Sequence, residues 1–460
     1  MSATPVIAIF DVGKTNKKLF LFDENYRIVY EKSARFTETV DEDGDPCENL
    51  ESLRLSVFDS LREVFKLKEY SIKAINFSTY GASFVYIDET GAVVAPLYNY
   101  LKEFPADLKE QFYNTYGSEE KWARETSSPV LGNLNSGMQI YCLKYKKPKI
   151  FAKISCSLHL PQYMSYLLTG KPCTDITSIG CHTGLWNFTK NDYHDWVYKE
   201  GIAEKFAPIC DAESVIKVDE SADDYVVGIG LHDSSAALIP YLVSFTEPFV
   251  LISTGTWCIS LNPFNKTPVT DEELENDCLC YIQFKGEPVK ASRLFAGNEH
   301  EMQVKRITNH FDTNTSELKH VEYDRNIVSK LQNDPNIKRL PFTRHQSAFA
   351  SRDLDLFGNY MEAYHQLMVD IMDQQVQSTN RILTGCKVHR IFVDGGFSKN
   401  SIYMNLLATA FPQLEIFAAS MAQATAVGTA IAIHKSWNSK PLPTDIIELK
   451  YYSTSHPIAT

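Results

Sequence analysis

No run in the 460-residue sequence is apolar for long enough to span a bilayer. The opening MSATPVIAIF has neither a basic start nor a long apolar core, so a signal peptide is not expected there. A cytoplasmic protein without a membrane partner is the expectation. Positive charge is in short supply: 45 Lys and Arg stand against 57 Asp and Glu, a formal net charge of -12. That balance argues against nucleic acid as a partner. It does not argue against a nucleotide, because local lysines can offset the overall field. The ten cysteines are scattered, and the nearest pair, Cys278 and Cys280, is not spaced like zinc ligands. Free thiols in a reducing compartment are expected. A P-loop is missing as well. Gly13-Lys14-Thr15 looks like the end of one, but the earlier glycine it needs would be at position 8, which is Ala8. The run after it, ending at Asp23, is too short for the helix a P-loop requires.

The chain does contain one pattern used twice. Residues 6–23 and residues 249–263 each read as an apolar run, a short break with Gly beside Lys or Thr, and a second apolar run. Runs of this kind joined by so short a turn predict two β-hairpins. Their tips offer backbone N–H groups and hydroxyls and could hold phosphates. At this length two or three domains are expected. The composition, 44% hydrophobic and 22% charged, is that of an ordinary globular protein.

Between the hairpins, helical spacing from Leu50 to Phe65 predicts one amphipathic helix. A strand is expected over 74–78, then a polar turn, Thr79-Tyr80-Gly81-Ala82-Ser83. Tyr98-Asn99-Tyr100 suits either a small-molecule pocket or a plain turn with edge aromatics. Asn135 opens a helical pattern. In Gly230-Leu231-His232-Asp233-Ser234-Ser235, Asp233 is either a helix N-cap or a carboxylate fixed by that geometry and aimed at a cleft. His232 is a candidate partner for a sugar hydroxyl or a plain loop histidine. A boundary is expected between Pro240 and Pro248. Residues 306–351 read as an irregular excursion, and 359–383 as a long helix with a core-facing stripe of Tyr364, Leu367, Met368 and Ile371. A strand over 388–393 runs into Asp394-Gly395-Gly396-Phe397-Ser398-Lys399-Asn400, where a ligand could approach backbone closely. The small-residue helix from Ala422 to Ala430 suits tight packing or a flat adenine ring.

Taken in order, these stretches resemble the FGGY carbohydrate kinases of the actin-like ATPase superfamily, over nearly the whole chain. Residues 11–18 look like the first phosphate motif, Ser253-Thr254-Gly255-Thr256-Trp257 like the second, residues 394–400 like the adenosine motif, and 230–233 like the segment with the catalytic Asp. The His-Asp pair and Ser-Thr-Gly-Thr-Trp lean toward the rhamnulokinase and fuculokinase side. The resemblance implies an α/β fold of two actin-like (ribonuclease H-like) domains, with a nucleotide and sugar cleft between them. Residues 1–244 would carry the sugar-binding groups and the catalytic Asp, and residues 245–460 the nucleotide.

The implied reaction transfers the γ-phosphate of ATP to a hydroxyl of a small sugar, with Mg²⁺. Asp233 is the implied base. Asp11 and Asp233 are the implied metal ligands. Gly13, Lys14, Thr15, Lys18, Gly255 and Thr256 would meet phosphates, and Gly395, Gly396 and Asn400 would border adenosine. Tyr80, Gly81, Tyr98, Asn99, Asn135 and His232 are the implied sugar pocket. The chain departs from the family in two places. Lys14 stands where Thr is usual, and Tyr100 where related kinases often carry an acid. Gly81-Ala82 replaces the Arg and Glu of glycerol kinases, which points away from glycerol. The expected acceptor is a ketose or deoxyketose such as L-rhamnulose or L-fuculose, with xylulose, ribulose or a polyol as the alternative. A homodimer is the assembly to test for. The rival classes are an actin-like or chaperone-like ATPase, and a sugar-binding regulator of the same fold. Neither needs sugar-stimulated ATP consumption.

Overall fold

The computed structural model describes residues 3–453 except 15, 16, 35, 36, 219–223, 339, 344, 345 and 422. Thr15, expected at the first phosphate tip, lies outside the described residues, as does Ala422. The chain divides into two compact units. The first comprises Met1–Ser244, Cys280–Pro288 and Gln423–Ile446. The second comprises Phe245–Leu279, Val289–Ala422 and Ile447–Thr460.

Both expected hairpins form. In the first unit, strand Thr4–Val12 pairs antiparallel with Lys17–Asp23, with Val12 opposite Lys17. Val6 to Phe10 are all buried, which is why the run does not alternate polar and apolar: both faces of the sheet are covered. The sheet order is Val215–Lys217, Val226–Gly228, Tyr70–Thr79, Thr4–Val12, Lys17–Asp23, Ile28–Ser33, and Leu231–His232 also pairs with Tyr70–Thr79. In the second unit, strand Phe249–Thr254 pairs antiparallel with Cys258–Asn262 and parallel with Arg390–Gly395. That sheet runs Cys278–Ile282, Pro288–Leu294, Cys258–Asn262, Phe249–Thr254, Arg390–Gly395, Glu415–Ser420, Glu448–Tyr452. Each sheet thus begins in sequence with a hairpin whose first strand also pairs in parallel with a later strand, Tyr70–Thr79 in the first and Arg390–Gly395 in the second.

The helices follow their caps. Helix Leu50–Val64 starts after Asn49, whose side chain accepts from the Ser52 N–H, and buries Leu53, Val57, Leu61 and Val64 at helical spacing. Helix Tyr360–Leu383 starts after Asn359, which accepts from the Glu362 N–H, and buries the expected Tyr364, Leu367, Met368 and Ile371.

One expectation needs correction. Residues 306–351 are not simply irregular. They include the end of helix Ala296–His310 and the short helices Thr315–Lys319 and Arg325–Asn333, capped by Asn314 and Asp324. Pro240 lies inside helix Asp233–Ser244, and the change of unit between Ser244 and Phe245 falls within the expected stretch 240–248. The small-residue helix, Ala424–Ala432, packs in the first unit against helix Asp233–Ser244. A Cβ added at Gly428 would fall 1.9 Å from the Ala236 carbonyl oxygen, so absent bulk serves helix packing there. Among the described residues no helix is long and apolar enough to cross a membrane.

Candidate functional site

Three parallel strand ends build the centre of the first unit. Asp11 is opposite Ser78, and Ser78 is opposite Leu231 on its other side. Helix Asp233–Ser244 begins directly after Leu231–His232. Ligands of such sheets bind beyond the carboxyl ends of the strands, and Asp11, His232 and Asp233 all stand there.

Asp11 is the more buried of the two carboxylates. Ser78 Oγ donates to its Oδ1 at 3.0 Å. Burial pushes its pKa up to about 6, and the negative charge of Asp233 adds to the rise; the Ser78 bond and the charge of Lys18 oppose it. Lys18 is itself paired with Glu31 at 2.5 Å and lies over the Phe20 ring. Asp233 is partly exposed. Its Oδ1 accepts from the Ser234 N–H at 2.6 Å and from Ser234 Oγ at 3.2 Å. His232 Nε2 lies 3.2 Å from the same oxygen. His232 is buried, and burial lowers its pKa against the pull of Asp233, so the ring is neutral at physiological pH. Gly81 makes this closeness feasible: a Cβ there would meet His232 Cδ2 at 2.9 Å and Nε2 at 3.0 Å.

The two departures from the family pattern turn out to touch one another. Lys14 Nζ lies over the rings of Tyr80 and Tyr100, 5.3 and 5.6 Å from their centroids. It is also 3.5 Å from Glu48 Oε1, which Lys17 approaches at 3.4 Å. Burial raises the Tyr100 phenol pKa, and the charges of Asp233 and Glu48 raise it further. Burial and Glu48 hold the Tyr80 phenol well above its ordinary range. Sequence reasoning passed over Glu48. It is a single acid in a short strand, and only the fold reveals that two lysines converge on it.

Other expected residues have different engagements. Tyr98 donates to Glu42 and has Lys102 and Lys147 over its ring. Asn99 donates to the Pro46 carbonyl and accepts from the Leu101 N–H. Both are thus tied to the acidic loop 41–46. Asn135 is fully buried, and its amide is spent on the protein. Nδ2 donates to Ser128 Oγ and to the Pro129 and His182 carbonyls, while Oδ1 accepts from the Leu131 N–H. It therefore holds loops together.

In the second unit, Gly255 and Thr256 are at the exposed tip of the hairpin, closed by the Gly255 N–H donating to the Trp257 carbonyl. Helix Ala296–His310 begins against this tip: a Cβ at Gly297 would fall 1.8 Å from the Gly255 carbonyl oxygen. A Cβ at Gly395, whose φ is +88°, would fall 1.9 Å from the Thr254 carbonyl oxygen, so only glycine fits. The N–H groups of Gly395, Gly396 and Phe397 donate to Asp394 Oδ1, Thr254 O and Thr254 Oγ1. They are committed within the protein, so a ligand here would meet the exposed face of the turn instead. Gly396 is exposed, and a Cβ there would meet open space. Asn400 caps helix Ser401–Ala410 through Oδ1 and donates from Nδ2 to the Tyr364 hydroxyl.

The carboxylates of the first unit have the chemistry to take Mg²⁺. Asp11 is a buried carboxylate whose nearby cation is shared with Glu31, so a divalent ion would supply missing positive charge. Among the described residues, no group of three or more His, Cys, Asp or Glu is placed to hold a metal alone. Mg²⁺ keeps several waters and takes phosphate oxygens alongside one or two carboxylates.

The sequence pattern of the N-terminal domain of the FGGY family of carbohydrate kinases matches residues 6–237, and that of the FGGY C-terminal domain matches residues 246–441. The chain belongs to the FGGY family of carbohydrate kinases. FGGY membership makes it an ATP-dependent sugar kinase, and its two-domain fold is the actin-like one of that family. A rhamnulokinase of Mannheimia succiniciproducens is 24% identical over 287 residues, 58% of this chain and 55% of that protein. A rhamnulokinase of Halalkalibacterium halodurans is 23% identical over 457 residues, 92% of this chain and 91% of that protein. The crystal structure of a carbohydrate kinase from Novosphingobium aromaticivorans superimposes with a TM-score of 0.79 at 22% identity, covering 98% of this chain and 94% of that one.

Proposed function

We propose that this FGGY kinase transfers the γ-phosphoryl group of ATP to a hydroxyl of a ketose or deoxyketose of the L-rhamnulose or L-fuculose kind. The observation that carries the reading is Asp233. Its carboxylate starts a helix, is held at Oδ1 by Ser234 and approached there by His232, and stands with Asp11 beyond adjoining strand ends. The acceptor oxygen forms a bond to the γ-phosphorus as the bond to the ADP oxygen breaks, and Asp233 takes the hydroxyl proton. Asp11 and Asp233 would hold Mg²⁺, which neutralises phosphate charge when bound. Lys14, Lys18 and the Gly13 backbone would face phosphates in the first unit, and Gly255 and Thr256 in the second. In this reading residues 1–244 supply the acceptor and catalytic groups and residues 245–460 the nucleotide groups. The rhamnulokinases among the relatives support the choice of acceptor.

An ADP-release screen across ketoses, deoxyketoses and polyols tests this. Turnover on L-rhamnulose or L-fuculose supports it, and turnover confined to xylulose, ribulose or a polyol replaces the acceptor. ATP consumption indifferent to every sugar would leave an actin-like ATPase.

Gly396 allows a clean test of the nucleotide side. Its φ is -62° and the space around its Cβ position is open, so Gly396→Val should fold normally. If adenosine lies against this turn, ATP affinity should fall about tenfold or more, since an inserted side chain forfeits well-packed contact. Calorimetric titration of ATP measures it, and wild-type affinity in the folded variant would leave the double glycine as a turn only.

A further inference from the structure

We propose that Cys181 is a positioning residue for the catalytic carboxylate: its sulfur holds His232 Nε2 and so keeps that edge of the ring beside Asp233 Oδ1. The inference rests on the reading of Asp233 as the base.

The geometry begins with the histidine ring. Cys181 Sγ lies 3.1 Å from His232 Nε2, and Asp233 Oδ1 lies 3.2 Å from the same nitrogen. The opposite ring nitrogen, Nδ1, is buried with no hydrogen-bond partner among the described residues. This asymmetry selects the tautomer. A proton on Nδ1 would be a buried donor with no acceptor, which is costly, and would leave the Nε2 lone pair facing a carboxylate oxygen. A proton on Nε2 has two acceptors within reach, the carboxylate and the sulfur. His232 Nε2 is thus the protonated nitrogen, with the Cys181 sulfur as the hydrogen-bond partner that fixes the ring and the Asp233 carboxylate close beside it.

The same short segment grips His232 twice. Helix Ile176–Ile179 is capped by Asp175, and Thr177 Oγ1, which also donates to Asp175, accepts from the His232 backbone N–H at 3.0 Å. Cys181, two residues past that helix, takes the ring. Gly81 closes the other side: a Cβ there would stand 2.9 Å from the ring and 3.4 Å from the sulfur. Backbone and ring are therefore both held from residues 175–181, and no freedom is left for the ring to turn away from Asp233. Ser234 donates to Oδ1 and the His232 ring stands beside that same oxygen. Oδ2 remains as the oxygen that can take the acceptor proton.

The test compares Cys181→Ser with Cys181→Ala in the full chain. Serine keeps an acceptor beside Nε2, whereas alanine removes it. With MgATP and the best acceptor from the ketose panel, Cys181→Ala should lose about three- to tenfold in kcat, the rate equivalent of one hydrogen bond. KM for ATP should be unchanged, and Cys181→Ser should recover most of the loss at a similar melting temperature. The ligand-free protein provides a second readout that does not depend on turnover. In ¹⁵N-histidine-labelled protein, assigned with His232→Gln, the His232 Nε2 proton should be a slowly exchanging signal in wild type and Cys181→Ser, and broadened in Cys181→Ala. If no sugar is phosphorylated but these spectra hold, the kinase reading fails and the positioning of His232 stands. A proton on Nδ1 in the wild type overturns the proposal. So does a Cys181→Ala variant with wild-type kcat and an unchanged signal, or a loss of kcat that serine does not restore.

Discussion

Asp233→Asn is expected to stay folded and to lose about 10²–10⁴-fold in phosphoryl transfer, the usual contribution of a general base. Asparagine retains an oxygen for the Ser234 N–H and for His232, and it starts a helix about as well as aspartate. The helix behind it is anchored by its packing against helix Ala424–Ala432, not by the carboxylate charge. What asparagine cannot do is accept the acceptor's proton. Melting temperature, sugar binding and steady-state rate on one preparation decide the matter. A stable variant that binds sugar and turns over near the wild-type rate would remove Asp233 as the base.

Asp11→Asn should separate stability from activity in opposite directions. Burial raises the Asp11 pKa from 3.8 to about 6, so the folded chain binds this proton more tightly than the unfolded chain. The resulting stabilisation is complete below about pH 4 and is lost as pH rises through 6, a total of about 3 kcal/mol. At pH 7.5 the ligand-free protein therefore carries a buried anion at a cost. Asparagine removes that anion and keeps an acceptor for Ser78 Oγ. In EDTA, the variant should be more stable than wild type at pH 7.5 and should lack the decline between pH 4 and 7. Its turnover with MgATP should fall by about 10²-fold or more, as when a group that stabilises transition-state charge is lost. Urea unfolding at pH 4.5, 6 and 7.5, with steady-state rates alongside, measures both. Equal pH slopes in the two proteins would show that Asp11 is not a strained buried charge, and undiminished turnover would remove it as a metal ligand.

Much of this centre could be read from the chain because its signals are local. The hairpins announce themselves by two apolar runs and a short tip, and Asp233 by its place between a strand and a run of small residues. Asn359 marks its helix as a cap with an apolar stripe behind it. Where the reading fell short, the cause is nonlocal. The helices in 306–351 do carry caps, Asn314 and Asp324, but their short polar sequences lack a stripe long enough to outweigh the composition. Lys14 and Tyr100 stand 86 positions apart in the chain (100 − 14), and no spacing rule says that Lys14 lies over that ring and beside Glu48. Cys181 is a lone thiol in sequence, and only the fold brings it to His232. Asn135 has the right chemistry for a sugar hydroxyl, yet four hydrogen bonds to its own protein use that chemistry up.

Helix Ala424–Ala432 belongs to the unit that begins near the N-terminus, and Gly428 seats it against the helix that starts at Asp233. A ribosome delivers these pieces far apart in time. When residue 244 emerges, the helix bearing Asp233 has no partner for that face, and the missing partner is made only after nearly all of the other unit. The unit that begins first is therefore completed only after nearly all of the other has been made. Until residues 424–432 are synthesised, the helix that starts at Asp233 lacks the neighbour that Gly428 seats against it.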